Sequence, residues 1–160
     1  MLSTTINTRL LYRLGFLFLA FGTVTDGELA PEELEAMAAR LKKWISPAHG
    51  VSLVEVVEEA GRVYDMHGSD ADIRRTAYRY ATLIGHTIPL RARCEIITDL
   101  VAIAEADNVI CQGEISFMSM VMRAFGIRGP NPLQGDDDEL FTSRARVSSA
   151  SASSSGLRML

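Results

Sequence analysis

Cysteine is scarce: Cys94 and Cys111 are the only two in 160 residues, too few for the disulfide framework of a small secreted domain. An expected helix separates them. The stretch from Cys94 to Asp107 spans roughly 20 Å at about 1.5 Å per residue, well beyond the ~7 Å limit between bridged α-carbons. Free thiols in a reducing cytoplasm follow, with Cys94 expected in the core. The three histidines, His49, His67 and His86, are isolated, and none follows a glutamate by three residues, which excludes the E-x-x-H ligand pairs of di-iron bundles. H-E-x-x-H, P-loop and G-x-S-x-G patterns are also missing, so no enzyme is expected. Nor is there a basic excess: 16 Lys and Arg against 20 Asp and Glu leave a net charge of -4, the wrong sign for nucleic-acid binding.

Long apolar runs are lacking as well. Leu14 to Phe21 falls short of the about 20 residues needed to span a bilayer. With Arg9 and Arg13 before it and Ala20-x-Gly22 at its end it resembles a signal peptide. It leads directly into an acidic turn, however, and has an apolar counterpart later in the chain, so it is read as a buried helix. Alternation with period two is absent, which makes the chain all-α.

What is present is helical periodicity, in about six segments. Arg9 to Thr23 is apolar on nearly every side, the pattern of a centrally buried helix. Pro31 opens a second helix that runs to about Ile45 on Leu34, Met37, Ala38, Leu41 and Ile45. Ser52 with Glu55 forms a capping box for a third, and Ser69 with Asp72 starts a fourth that ends at Gly85. Pro89 introduces Leu90 to Ala106, and Ile115, Met118, Val121, Met122 and Phe125 carry a sixth to Gly126. Glu58 and Arg62 sit four residues apart on the third helix, a solvated charge pair. From 128 to 160 the composition turns to Gly, Pro, Ser and Asp. The expected organisation is therefore a helical domain over 1–127 and a Ser-rich mobile tail over 128–160, with Leu140, Phe141, Leu157, Met159 and Leu160 able to dock a short piece of it.

The acids form one recurring pattern. Asp26 and Glu33 match Asp107 and Glu114 under a single offset of 81 residues, which also pairs Met37 with Met118 and Trp44 with Phe125. In each copy an apolar helix ends near the Asp and the Glu falls in the first turn of the next helix, so two pseudo-repeated helical hairpins are expected. Such a turn offers carboxylate and carbonyl oxygens together, the ligand set of a hard cation such as calcium. The eight residues from 26 to 33 are too few for an EF-hand loop, which needs about 12. Glu28 and Glu32 enrich the first turn as possible additional metal ligands, while the second has Val109 and Gly113 there. The plainer reading is that each Glu favours its helix dipole and caps backbone N–H groups.

Asp26-Gly27-Glu28-Leu29-Ala30-Pro31-Glu32-Glu33, the later Asp107-Asn108-Val109-Ile110 and the closing Phe125-Gly126-Ile127 resemble the TerB-like tellurite-resistance family over about residues 9 to 127. The resemblance implies an all-helical bundle and a cytoplasmic, non-enzymatic stress-response role, with a divalent cation at acidic clusters that here fall on Asp26, Glu33, Asp107 and Glu114. It also implies partner proteins, including those of membrane-associated complexes. Two departures fall in the second motif, where Asn108 stands for the usual glycine and Gly113 for an acid. The alternative to a cation-holding module is a structural protein-interaction adaptor whose repeated acids are helix caps.

Overall fold

A computed structural model describes residues 6–23 and 29–134. It contains six α-helices: α1 (Thr8–Thr23), α2 (Pro31–Lys42), α3 (Leu53–Asp65), α4 (Asp70–Thr87), α5 (Leu90–Glu105) and α6 (Gln112–Ala124). A 3-10 turn, Pro47–His49, joins α2 to α3, and no strand occurs among the described residues. The all-α reading therefore holds. Asp26 and Glu28 lie outside the described residues, as does the chain from 135 onward.

The composition of α1 dictates its place. After Arg13 it carries no charge, so no face of it can be left in water cheaply. It touches every other helix and buries Leu11, Leu14, Phe16, Leu17, Phe18 and Phe21. The other helices surround it with narrower apolar stripes, and α5 adds Ile96, Leu100 and Ile103. Both capping signals are realised: Glu55 N–H donates to Ser52 Oγ at 3.2 Å, Ser52 N–H to Glu55 Oε2 at 2.7 Å, and Asp72 N–H to Ser69 Oγ at 3.2 Å.

Several expectations are corrected. The second helix stops at Lys42 rather than Ile45, because Trp44 and Ile45 turn their N–H groups to Leu41 and Lys42 carbonyls in tighter 3-10 fashion. Leu34 is not on the buried face. It is 46% exposed, and α2 instead buries Glu33, Met37 and Leu41. Cys94 is exposed rather than core, although both thiols are indeed free. Arg62 pairs with Glu59, three residues before it, and not with Glu58. Past α6, Asn131 Nδ2 donates to Ile115 O and Ser119 Oγ, and Leu133 is buried.

Gly85 does not end α4, which continues to Thr87. Its missing side chain is a packing device: a Cβ there would stand 3.1 Å from Ala124 O and 3.2 Å from Phe125 Cδ1. Alanine is the better helix former by about 1 kcal/mol, yet Gly85→Ala is expected to destabilise by ~1–3 kcal/mol, because backbone at the end of α6 must move. A lower urea midpoint at unchanged slope would show this. A raised midpoint would mean that α4 and α6 separate without cost.

Candidate functional site

Glu33 and Glu114 occupy the same position, the third residue of α2 and of α6. A glutamate there can fold back onto the amide that precedes its own helix. Ala30 N–H donates to Glu33 Oε2 at 3.0 Å, and Cys111 N–H to Glu114 Oε2 at 3.1 Å. Neither Ala30 nor Cys111 returns a side-chain cap, so in each case the glutamate supplies the cap alone.

An ordinary capping glutamate lies on the surface. These two are 1% and 2% exposed, because each heads an apolar stripe at helical spacing, Glu33 with Met37 and Leu41, Glu114 with Met118 and Met122. Burial then brings the helix starts together, with the Glu33 carboxyl near enough to Glu114 to raise its pKa. Two carboxyl groups so placed favour sharing a proton, since two adjacent carboxylates repel and neither has a hydrogen to give. The Glu114 carboxyl is pushed up to about 7, first by burial and then by the charges of Glu33 and Asp107, against the opposing pull of the Cys111 amide.

Asp107 stands beside this pair, half-buried, with Oδ1 accepting Val109 N–H at 2.9 Å. That bond closes a turn in which Asn108 has φ +62°. Asparagine is the residue other than glycine that most readily takes this left-handed conformation, so Asn108 in place of glycine keeps the turn shape. Of the residues singled out as ligands, Glu33 and Glu114 are thus brought together, with Asp107 close by. Glu32 points to solvent, and Asp26 and Glu28 lie outside the described residues. Among the described residues no group of three or more His, Cys, Asp or Glu side chains is placed to hold a metal ion.

A third buried carboxylate, Asp99, is one that the repeated motif does not include. In the middle of α5, it is fully buried and accepts Trp44 Nε1–H at 2.8 Å through Oδ2. Lys43 Nζ lies against Oδ1 at 2.5 Å, with Arg40 Nη1 at 3.8 Å. Burial raises its pKa, while Lys43, the Trp44 indole and Arg40 pull the other way. The signal in the sequence is an acid between Ile96 and Ile103 on a buried stripe. Asp99 meets the C-terminal end of α2 and Glu33 begins that helix, so the two lie roughly 15 Å apart along it and form separate centres.

The family model described as "Tellurite resistance protein TerB" matches residues 19–131. Comparison with curated proteins and with solved structures returned no match.

Proposed function

The chain belongs to the TerB family of tellurite-resistance proteins, and from that premise we propose that it is a non-enzymatic stress-response module in which a divalent cation replaces the proton shared by Glu33 and Glu114. The observation that carries this reading is the pair itself. Two buried carboxyls from two helices lie near enough to raise the pKa of Glu114, and a dication would suit them better than a proton because it offsets both charges at once. Such an ion would supply a charge-neutralising link between the starts of α2 and α6.

The donor chemistry fits a hard cation, all ligands being oxygens. Calcium takes 6–8 of them, and one oxygen each of Glu33, Glu114 and Asp107 already accepts a backbone N–H, which leaves the three carboxylates short of a full shell. We assign the remainder to Asp26 and Glu28, in the stretch between α1 and α2. In this reading the two acidic turns are the repeated halves of one centre, and the module acts in the cytoplasm with other proteins, including those of a membrane-associated stress complex. No helix among the described residues is long and apolar enough to cross a membrane.

Calcium, magnesium, manganese and zinc added to metal-stripped protein test the proposal. A site with Kd about 10 µM, given about 1 mM cation, adds roughly 2.7 kcal/mol, several degrees of melting temperature. Asp26→Asn should remove that gain. One observation favours the rival reading, a structural adaptor: both glutamates cap their own helices. Capping alone predicts no cation-specific gain, and no binding heat by calorimetry, so a flat response to all four metals would select it.

A further inference from the structure

Toward the other end of α1 from the acidic turn, the surface carries the opposite sign. A cleft of about 190 Å³ lies between α1, α3 and α4, with Arg9, Tyr12, Arg13 and Phe16 on one side and Glu59 and Tyr80 on the other. Arg9 and Arg13 are one helical turn apart and so share a face of α1. The Arg13 guanidinium sits 5.6 Å from the Tyr80 ring centroid and that of Arg79 5.9 Å from the same ring. The one carboxylate in the lining is already committed, since Arg62 holds Glu59 with two hydrogen bonds, Nε to Oε2 at 2.9 Å and Nη2 to Oε1 at 2.6 Å. None of Arg9, Arg13 and Arg79 has an ion pair among the described residues. In a chain whose net charge is negative, two unneutralised guanidiniums, those of Arg9 and Arg13, line one small aromatic-walled hollow, and that of Arg79 lies near its Tyr80 wall.

We propose that this cleft is a binding site for a small dianionic oxyanion of the phosphate class, free or as a phosphate monoester, held by Arg9 and Arg13. A guanidinium stacked on a ring leaves its N–H edge available, and that edge matches the oxygens of a phosphate in paired hydrogen bonds. Tyr80 thereby holds the Arg13 donor before any ligand arrives, which lowers the ordering cost of binding. The size of the hollow favours a single compact anion over a nucleic-acid strand. This site is independent of the cation reading, because none of its residues belongs to the acidic turns.

The test is a titration of the full chain with inorganic phosphate, followed by amide chemical shifts, against sodium chloride at matched ionic strength. Saturable shifts confined to the start of α1 and the middle of α4 are expected with phosphate alone. Arg9→Gln and Arg13→Gln should each weaken binding by roughly tenfold, the factor for one lost charge-assisted hydrogen bond, while the exposed Arg91→Gln leaves it unchanged. Unaltered spectra of the variants away from the cleft establish that they fold. Sedimentation with phosphatidylcholine vesicles, with and without phosphatidic acid, separates the sources. Binding of inorganic phosphate without vesicle binding assigns a free ion, and Arg13-dependent binding of both assigns a monoester headgroup. Shifts that chloride reproduces, or vesicle binding that Arg13→Gln leaves intact, would overturn the proposal in favour of a diffuse basic surface.

Discussion

Asp99→Ala is expected to cost about 3 kcal/mol of folding stability, the lower end of the ~3–5 kcal/mol that follows when one partner of a buried ion pair is removed. The carboxylate is fully buried, but its cations are not: the Lys43 and Arg40 side chains are 34% and 42% exposed and can turn to water once Asp99 is gone. The Trp44 indole has no such escape without giving up its packing against the core, and an unsatisfied buried donor costs ~1–3 kcal/mol. Asp99→Asn keeps an oxygen for the indole and should lose only about half as much. Trp44 is the single tryptophan, so urea unfolding followed by its fluorescence reports both stability and the state of this bond. A loss below about 1 kcal/mol for the alanine variant would show that α2 and α5 are held by their apolar contacts alone.

Composition and periodicity are enough to expect the helices, because the strongest signals are local. Ser52 with Glu55 and Ser69 with Asp72 are caps whose chemistry is complete within four residues, and the apolar surround of α1 admits one placement only. Positions decided by contacts far apart in sequence are less legible. Gly85 looks like a helix terminator until the carbonyl of Ala124 stands 3.1 Å from where its Cβ would be. Leu34 and Glu33 are neighbours, and hydrophobicity alone assigns the leucine inward. The capping bond turns Glu33 in instead, and Leu34 goes to solvent. Asp99 is hidden for the same reason, since its partners Trp44, Lys43 and Arg40 lie more than fifty residues earlier.

The candidate site divides along the same line. The offset that relates Glu33 to Glu114 is visible as a repeated motif, and it singles out the two residues that face each other in the fold. Their nearness is not visible there, because a repeat shows that two positions are alike and says nothing of whether they meet. Nor does the motif show burial, the property that separates these glutamates from ordinary capping acids such as Glu55, which is exposed.

Burial makes the pair a measurable centre even before any cation is added. The Glu114 carboxyl rises from 4.5 to about 7 on folding, so between these values the folded chain holds a proton that the unfolded chain has released. Stability must then fall as pH rises. The contribution is fully present below pH 4.5, declines through the window up to about 7, and is lost above it. Each tenfold gain in proton affinity on folding is worth about 1.4 kcal/mol, which makes the whole loss about 3 kcal/mol. Glu114→Gln fixes this group in a neutral form that can still accept the Cys111 N–H and donate to Glu33. The variant should match the parent chain near pH 4.5 and exceed it by about 3 kcal/mol at pH 8, or roughly 6–12 °C in melting temperature. Asp99, whose pKa is also raised, contributes a decline of the same sign to both proteins and cancels in the difference. Calcium at pH 8 should recover much of the loss in the parent and nothing in the variant, which ties the proton to the proposed cation. Equal pH profiles for the two proteins would mean that Glu33 and Glu114 do not share a proton, and the cation reading would lose the observation on which it stands.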